Sequence, residues 1–302
     1  MVYLSLCMAT NGVTKWVMPA LEAIYSQGVD ENLVEVVVAD NGDSDELEQT
    51  IQPLLEQHSN LHYKRTQAVS FGNQIEALRM AKGEYLKFIN HRTILEPGAL
   101  QWMLDLVQKY IDIKPVIYMS SGSLELEKPM VCKNFDEFVR GLRQFASWTT
   151  GVGVWRSDFE QIPADHKYSN ISPHSDVLFW VRDRAPYVID DTVWGHDITQ
   201  GHEGKGTYDL YACFGWQELT ITLSLLRDGS ISPATFRYVR QCYKDLLISL
   251  YYNFTVKKVP CSYDLSGFEE AMGVFFDKSE ILRAVRLYPV TSRIRDYKKR
   301  RK

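Results

Sequence analysis

The polar residues of this chain that are best suited to chemistry follow an apolar run directly. Residues 85–89 read Tyr-Leu-Lys-Phe-Ile, and Asn90, His91 and Arg92 come next. Hard divalent cations prefer carboxylate oxygens, and this triplet contains none. A guanidinium instead suits phosphate, which it binds through two parallel N–H donors. The triplet therefore predicts weak or absent metal binding.

Two further polar loops follow strand-like runs. Thr10 follows the run 3–9, and residues 40–45 (Asp-Asn-Gly-Asp-Ser-Asp) follow the β-branched run 33–39. Strand-like and helix-like segments alternate here, which predicts a parallel sheet with helices on its faces. Ligands of such sheets bind beyond the carboxyl ends of the strands. The loops at Thr10, Asp40 and Asn90 are therefore expected to converge on one cleft.

The predicted fold class is α/β, a mostly parallel sheet flanked by helices with a helical C-terminal extension. Apolar spacing of about 3.6 residues predicts helices, and short β-branched runs predict strands. Strands are expected at 3–9, 33–39, 61–64, 85–90, 115–120 and 149–155, and helices at 16–26, 46–57, 71–80, 99–110 and 136–145. Residues 195–207 are glycine-rich and are expected to form a mobile loop. We expect a catalytic domain over 1–215 and a helical region over 216–302.

Composition indicates a soluble globular protein. Of 302 residues, 45% are hydrophobic and 24% are charged, which is ordinary for that class. The five cysteines are scattered without a CxxC pair, so neither a disulfide framework nor a zinc site is predicted. No signal peptide and no apolar span of about 20 residues is apparent. These features predict a cytoplasmic protein.

The C-terminus is strongly basic. Residues 293–302 carry seven Lys or Arg side chains against one acid, Asp296, although the formal net charge of the chain is −4. Such a run is often only a solvated terminus. Near an anionic membrane each basic residue adds about 1 kcal/mol of attraction, which would place the protein on the inner leaflet. Nucleic-acid binding is not expected, because the body of the protein is acidic and repels phosphates.

Taken together, these segments resemble the family 2 glycosyltransferases, which have the GT-A fold. The resemblance lies in Thr10-Asn11, the acidic turn 40–45, Asn73, residues 81–86 (Ala-Lys-Gly-Glu-Tyr-Leu) and the Pro-Gly-Ala-Leu sequence 97–100. The resemblance rests on the order and spacing of these five segments and extends to about residue 100. The rest of the chain is similar only in outline, to bacterial O-antigen and capsule transferases.

The resemblance implies a binding site for a nucleotide sugar. Asp40 would accept hydrogen bonds from the base or ribose, although Asp-Asn-Gly also forms a turn in many proteins. Asp43 and Asp45 would line the ribose side, or would cap the following helix. The implied binding residues are Thr10, Asn11, Asp40, Asp43, Asn73, Asn90 and His91.

At the triplet the chain departs from the family. Relatives use the first and third acids there to hold Mg²⁺ or Mn²⁺ on the diphosphate, and here Asn90 and Arg92 occupy those positions. No metal ligand is therefore assigned. Arg92 is predicted to replace the ion by pairing with the diphosphate. The alternative is that Arg92 forms a surface salt bridge and that the site is inactive.

For the acceptor, the resemblance implies a general base at the start of a helix about halfway along the chain. Ser175-Asp176 stands where relatives carry Glu-Asp. Asp176 is the predicted base of an inverting displacement, and it also suits a helix N-terminus. His174 is the alternative base, since its ordinary pKa lies near neutrality.

The sequence therefore predicts a glycosyltransferase that acts from the cytoplasmic membrane face. It would move a sugar from a nucleotide-sugar donor to a lipid-linked or polysaccharide acceptor at the cell surface. A degenerate, non-catalytic subunit of a polysaccharide assembly complex is the alternative. A nucleotidylyltransferase is disfavoured, because residues 10–13 lack a glycine-rich loop with a basic residue.

Overall fold

A computed structural model describes residues 1–198 and 207–299, and for residues 291–299 it describes the backbone alone. The chain divides into two compact units, Met1–Gln200 and Gly201–Lys302. The predicted boundary after residue 215 falls inside the second unit. As a functional boundary it stays a prediction.

The first unit alternates strands and helices. Its strands are β1 (Leu4–Thr10), β2 (Val34–Asp40), β3 (Leu61–Arg65), β4 (Tyr85–Asn90), β5 (Thr93–Leu95), β6 (Val116–Met119), β7 (Met130–Cys132), β8 (Gly153–Trp155), β9 (Tyr187–Asp190) and β10 (Gly195–Asp197). Its helices are α1 (Thr14–Tyr25), α2 (Glu46–Thr50), α3 (Gln52–Gln57), α4 (Asn73–Met80), α5 (Ala99–Lys109), α6 (Phe135–Leu142), α7 (Arg156–Phe159) and α8 (Pro173–Leu178).

The central sheet has the strand order β3-β2-β1-β4-β8, with β8 antiparallel and the others parallel. Every residue of β2 is buried, as expected of a parallel strand covered on both faces. Helix α1 packs on this sheet through a stripe of buried residues: Trp16, Val17, Ala20, Leu21 and Ile24. The predicted mostly parallel sheet flanked by helices is confirmed.

Two smaller sheets complete the first unit. Strand β9 lies parallel to β6 and antiparallel to β7, and β10 pairs antiparallel with β5. The segment 195–207 was expected to be a mobile loop throughout, and this is wrong for Gly195–Asp197, which form β10. The rest of that prediction falls largely outside the described residues.

Two predicted elements are interrupted. The helix expected over 46–57 is divided into α2 and α3, because Pro53 lies in the first turn of α3 and supplies no backbone N–H. The strand expected over 149–155 begins only at Gly153, after a 3-10 turn at Thr149–Gly151. A Cβ atom at Gly151 would lie 2.3 Å from the Tyr118 hydroxyl, so the tyrosine ring fills the space beside this turn.

The second unit is helical over its described residues, as predicted. Its helices are α9 (Leu210–Ala212), α10 (Glu218–Arg227), α11 (Pro233–Leu250), α12 (Phe268–Ala271) and α13 (Lys278–Lys299), with π-helical segments at Cys213–Gln217 and Tyr251–Val256. Within the described ranges, no helix has the length and apolar character needed to span a membrane.

Candidate active site

The register of the central sheet brings the polar strand ends together. Thr10 pairs with Asp40 across β1 and β2, and Ala9 pairs with Asn90 across β1 and β4. The three polar loops that follow these strands therefore lie side by side at the carboxyl edge of the sheet. This edge is where open α/β sheets bind ligands.

Asn73 joins these strand ends from the first turn of α4. Its amide nitrogen donates to the carbonyl oxygens of Thr10 (3.1 Å) and Ala39 (2.7 Å), and its amide oxygen accepts from the Thr66 hydroxyl (2.6 Å). The residue is 2% exposed. The side chain is therefore engaged within the protein, at the junction of β1, β2 and the loop after β3.

Asp40 is fully buried at the end of β2. One carboxylate oxygen accepts from the backbone N–H of Gly42 at 2.8 Å, and the other accepts from the Tyr63 hydroxyl at 2.8 Å. Burial and this carboxylate raise the pKa of Tyr63, so its hydroxyl remains a donor. The carboxylate thus supports the turn after β2, and direct contact with a ligand stays a prediction.

Gly42 allows the loops after β1 and β2 to touch. A Cβ atom at this position would lie 2.4 Å from the backbone oxygen of Asn11, a distance that no side chain tolerates. Asn11 itself is exposed at this junction. The close approach places its side chain at the surface beside the turn after β2.

The acids of the turn 40–45 differ in their surroundings. Arg65 donates to the carboxylate of Asp45 (2.9 Å) and to the carbonyl oxygens of Ser44 (3.1 Å) and Gly42 (2.6 Å). Asp45 is thereby tied to β3 although its side chain is 72% exposed, whereas Asp43 is exposed and has no such tie in the described part of the chain. Asp43 is the acid of this turn that is more open to a ligand.

The first two residues of the triplet are occupied by protein contacts. The Asn90 side-chain oxygen accepts from the backbone N–H of Arg92 at 3.2 Å, and His91 Nδ1 lies 2.7 Å from the Thr10 hydroxyl. Burial, with a smaller effect from Arg92, lowers the pKa of His91 to about 3. The imidazole is therefore neutral at neutral pH, and its ring lies edge-on to Trp16 at 5.3 Å.

Arg92 is different, because its side chain is 11% exposed and incompletely paired. The guanidinium lies over the Trp16 ring, 5.0 Å from its centroid, and one terminal nitrogen lies 3.8 Å from the Asp197 carboxylate. Nε and Nη1 are buried and have no hydrogen-bond partner among the described residues. Buried donors without partners cost about 1–3 kcal/mol each. Two donor nitrogens of this guanidinium are therefore left without an acceptor in the described part of the chain.

The triplet does not fit a divalent cation. The Asn90 oxygen and His91 Nδ1 already have partners, and Arg92 carries a positive charge. In the part of the chain that the structure describes, no group of three His, Cys, Asp or Glu residues is arranged to hold a metal ion. The chemistry available at this position is therefore that of a cationic hydrogen-bond donor.

The two candidate bases on α8 face different surroundings. His174 is 3% exposed, and its Nδ1 lies 3.1 Å from the Gln74 side-chain oxygen and 3.2 Å from the Thr149 hydroxyl. Asp176 accepts from the backbone N–H of Ser169 at 2.5 Å. Residues two apart in a helix point about 200° apart, which explains the difference. The structure thus brings His174, and not Asp176, against the first turn of α4.

Burial shifts the pKa values of His174 and Asp176 toward their neutral forms. The pKa of His174 is lowered to about 4 by burial, against a smaller raising effect from the backbone of Ser147. Burial raises the pKa of Asp176, against the Ser169 hydrogen bond and the nearby His166 and Arg182. A carboxylate with a raised pKa is a stronger base, which suits the predicted role of Asp176. That catalytic role stays a prediction.

Sequence reasoning missed three residues that shape this edge: Trp16, Gln74 and Lys87. Lys87 is 1% exposed in β4 and donates to the carbonyl oxygens of Thr150 and Val152, which fixes the turn before β8. Burial lowers its pKa to about 7. A lysine at the centre of an otherwise apolar strand was the available signal, whereas Trp16 and Gln74 belong to no recognisable motif.

A cavity of about 270 Å³ lies elsewhere, near the amino end of β4. It is lined by Leu78, Arg79, Ala81, Leu86, Arg156, Phe159, Glu160, Ile162, Pro163, Ala164 and Tyr168. None of the predicted site residues lines it. Its arginines are paired, Arg79 with Glu76 at 2.6 Å and Arg156 with Glu84 at 3.4 Å. These guanidinium groups lie closer to their anionic partners than Arg92 lies to Asp197 (3.8 Å).

Comparison with known proteins connects this edge to one family. The sequence model described as glycosyl transferase family 2 matches residues 5–157, just over half of the chain. The matched segment contains every predicted residue of the strand ends and the whole triplet. No curated protein matches the sequence.

Solved structures of S. aureus TarS have a similar fold. TarS 1–349 in complex with UDP-GlcNAc gives a TM-score of 0.59 at 15% identity, over 94% of this chain and 82% of that chain. The same fragment in complex with UDP gives 0.58 at 15% identity, over 98% and 87%. A longer TarS structure gives 0.58 at 14% identity over 94% of this chain, which spans about half (49%) of its length.

Proposed function

The chain belongs to glycosyl transferase family 2 and is a glycosyltransferase, and from this premise we propose its substrates and mechanism. It transfers a sugar from a nucleotide-sugar donor to a hydroxyl group of a growing cell-surface polysaccharide or lipid-linked oligosaccharide. The TarS structures with UDP-GlcNAc and UDP support a nucleoside diphosphate donor. Transfer proceeds with inversion at the anomeric carbon.

The observation that carries the proposal is the incompletely paired guanidinium of Arg92. Its Nε and Nη1 are buried without partners among the described residues, at the end of a strand of the central sheet. A departing diphosphate gains negative charge as the glycosidic bond breaks. Donors that are already in place stabilise that charge without reorganisation. Arg92 therefore takes the role that a divalent cation has in relatives, and transfer needs no metal.

In the transfer step a base removes the proton from the acceptor hydroxyl. The acceptor oxygen then forms a bond to the anomeric carbon while the bond from that carbon to the phosphate oxygen breaks. The electron pair of that bond leaves with the nucleoside diphosphate, whose charge pairs with Arg92. Asp176 and His174 are the two candidate bases, and both belong to α8.

The missing acids of the triplet favour one alternative, a subunit that binds nucleotide sugars without catalysis. Asn90 and Arg92 replace the two metal-binding acids of relatives, and the Asn90 oxygen and His91 Nδ1 are held by protein groups. Such a subunit would bind a nucleotide but would neither hydrolyse nor transfer its sugar. Catalytic turnover therefore separates the two functions.

We expect turnover of at least one nucleotide sugar, with a rate that EDTA does not reduce. UDP-, GDP-, dTDP- and CDP-sugars would be incubated with the full chain and a bacterial lipid extract as acceptor, and nucleoside diphosphate release would be measured. Parallel reactions contain EDTA or added Mn²⁺. Turnover that requires Mn²⁺ would contradict the role of Arg92, and no turnover of any donor would favour the non-catalytic subunit.

A second proposal concerns location, at the cytoplasmic face of a membrane. Leu287 and Val290 of α13 are 62% and 60% exposed, and the sequence that follows is basic. Exposed apolar residues beside basic residues are typical of helices that lie in a membrane surface. This placement would bring the enzyme to lipid-linked acceptors.

The full chain is expected to sediment with vesicles that contain phosphatidylglycerol and to remain in solution with phosphatidylcholine vesicles. Leu287→Asp combined with Val290→Asp should weaken this sedimentation, since apolar contact is lost. Val274→Asp is the matched control, because Val274 is 57% exposed and lies outside α13. Equal sedimentation of the double variant and the control would exclude α13 as the contact.

A further inference from the structure

The second unit has an exposed loop, both apolar and basic, after the π-helical segment Tyr251–Val256. Residues 256–260 read Val-Lys-Lys-Val-Pro, and we call them the valine–lysine loop. All of them are exposed, and Val256 and Val259 are 52% and 41% exposed. A single exposed apolar residue needs no explanation, whereas exposed apolar residues that cluster with polar ones mark interaction surfaces. The loop is therefore a candidate for contact with a partner.

The backbone holds this loop in place. The N–H of Lys257 donates to the carbonyl oxygen of Tyr252 at 2.8 Å, and the N–H of Val259 donates to that of Asn253 at 3.0 Å. Lys258, between them, has a left-handed backbone with φ of 55°, which residues other than glycine seldom adopt. The hydrogen bonds thus maintain a tight turn in which the valines and the lysines remain exposed.

An aromatic pair connects the valine–lysine loop with α13. The ring centroids of Tyr252 and Tyr288 lie 5.1 Å apart, and the Tyr288 hydroxyl donates to that of Ser249 at 2.9 Å. The Lys257 ammonium lies over the Tyr252 ring, 5.1 Å from its centroid. The loop therefore lies beside the middle of α13.

The exposed face of α13 has the same mixed character. The spacing i, i+3, i+4, i+7 places residues on one side of a helix, and it relates exposed residues of α13: Arg283, Arg286, Leu287 and Val290. Ile281, on the opposite side, is fully buried. The loop and this face of the helix thus both combine apolar side chains with cations.

The charge of these segments is opposite to that of the whole chain. Residues 246–263 contain two lysines and no acid, and residues 281–295 contain four arginines and no acid, although the formal net charge is −4. Such an excess of cations attracts an anionic partner. Nucleic acid is held mainly through its phosphates, which make no use of exposed valines. An anionic membrane surface accommodates both the cations and the apolar side chains, and the loop favours it.

We propose that the valine–lysine loop is a membrane-binding loop, which inserts Val256 and Val259 among the headgroups of anionic lipids. Lys257 and Lys258 then lie at the level of the lipid phosphates. The inference rests on the proposed membrane location and adds a second contact to that of α13. Two linked contacts bind a vesicle more tightly than either alone, because the second binding event is intramolecular.

Vesicle binding tests the loop directly. The full chain is titrated with phosphatidylglycerol vesicles, and the sedimented fraction gives the partition coefficient. Val256→Asp combined with Val259→Asp should lower this coefficient at least about 10-fold, because apolar contacts are replaced by charges that anionic lipid repels. Lys257→Gln combined with Lys258→Gln should lower it by about 10- to 30-fold and should reduce its dependence on salt.

The controls change the same residue types elsewhere. Val274→Asp replaces a valine that is 57% exposed, and Lys64→Gln combined with Lys82→Gln removes two exposed lysines of the first unit. Both controls should bind vesicles much as the wild type does. All of these variants should keep the wild-type unfolding midpoint in urea, because the substituted side chains are exposed.

Fluorescence distinguishes insertion from attraction to the surface. Val259→Trp adds an indole to the 7 native tryptophans, and vesicles with brominated acyl chains should quench the added emission. The emission added by Val274→Trp should stay unquenched. Absence of quenching at position 259, or wild-type vesicle binding by the double valine variant, would overturn the proposal. Loss of binding in the lysine variant alone would indicate a site for polyanions and would also overturn it. Failure of the wild type to bind the vesicles would instead reject the membrane location itself.

Discussion

Arg92→Ala is expected to reduce kcat by about 10²–10³-fold, the loss that usually follows removal of one preorganised donor to a developing negative charge. The side chain offers two buried N–H donors that have no partner among residues 1–198 and 207–290, so a diphosphate would supply the missing acceptors. The substitution removes both donors and the positive charge. The rate is measured as nucleoside diphosphate release from the donor identified by the screen.

The fold should tolerate this substitution. Loss of the cation–π contact with Trp16 costs about 0.5–2 kcal/mol, and loss of the packed alkyl stem, which is 11% exposed with the rest of the side chain, adds to that cost. Removal of two buried donors that lack partners among the described residues returns about 1–3 kcal/mol each. The two effects oppose one another, so the free energy of unfolding should change little. An inactive variant with an unchanged unfolding midpoint in urea would therefore attribute the loss to catalysis.

Two further arginine variants sharpen the experiment. Arg92→Lys retains the charge but loses the planar pair of donors, so it should recover only part of the activity. Arg79→Ala is the matched control, because Arg79 lies on α4, is 48% exposed and is already paired with Glu76. It should retain wild-type activity. Full activity of Arg92→Ala would contradict the proposed diphosphate clamp.

The sheet and its polar edge were predictable because local pattern and topology determine them together. Alternating strands and helices require parallel neighbours, and parallel strands end at the same edge. Thr10, Asp40 and Asn90 follow the runs that form β1, β2 and β4, so their proximity follows once the strands are recognised. Helix α1 was similarly evident from its apolar spacing.

The surroundings of individual side chains were not predictable, because they depend on contacts between distant segments. Strand β10 pairs with β5 about 100 residues earlier, and this pairing brings Asp197 to Arg92. The different directions of His174 and Asp176 depend on how α8 packs, which no short motif encodes. Sequence pattern therefore predicted where the polar side chains gather, and tertiary contacts decide which of their atoms are free to form further contacts.

Asn73 shows the same distinction and leads to the second large effect. The resemblance implies that Asn73 contacts the nucleotide sugar, whereas its amide nitrogen donates to the carbonyl oxygens of Thr10 and Ala39. Asn73→Asp preserves the shape and replaces this donor with a carboxylate oxygen. The carbonyl oxygens of Thr10 and Ala39 then face a carboxylate oxygen in place of the amide donor, although Thr10 keeps the backbone N–H of Asn41 (3.0 Å). Each lost hydrogen bond costs about 1–3 kcal/mol. We expect the free energy of unfolding to fall by about 2–5 kcal/mol.

The matched control is Asn41→Asp. The Asn41 amide nitrogen also donates to two carbonyl oxygens, those of Ala68 (2.9 Å) and Ser70 (3.3 Å), but Asn41 is only partly buried. Water can replace its hydrogen bonds, so a loss of about 1 kcal/mol is expected. Urea unfolding measures both variants. Equal losses would contradict the structural role that we assign to Asn73.

Donor binding separates the structural role from direct contact. If Asn73 acts by holding the strand ends together, Asn73→Asp should weaken donor binding and lower stability in the same variant. If it contacts the donor, binding should weaken while the unfolding midpoint stays near that of the wild type. The first result is expected, because the amide is 2% exposed and both of its polar atoms are bonded within the protein. Asn73 would then serve the donor indirectly, by keeping the loops after β1 and β2 in place.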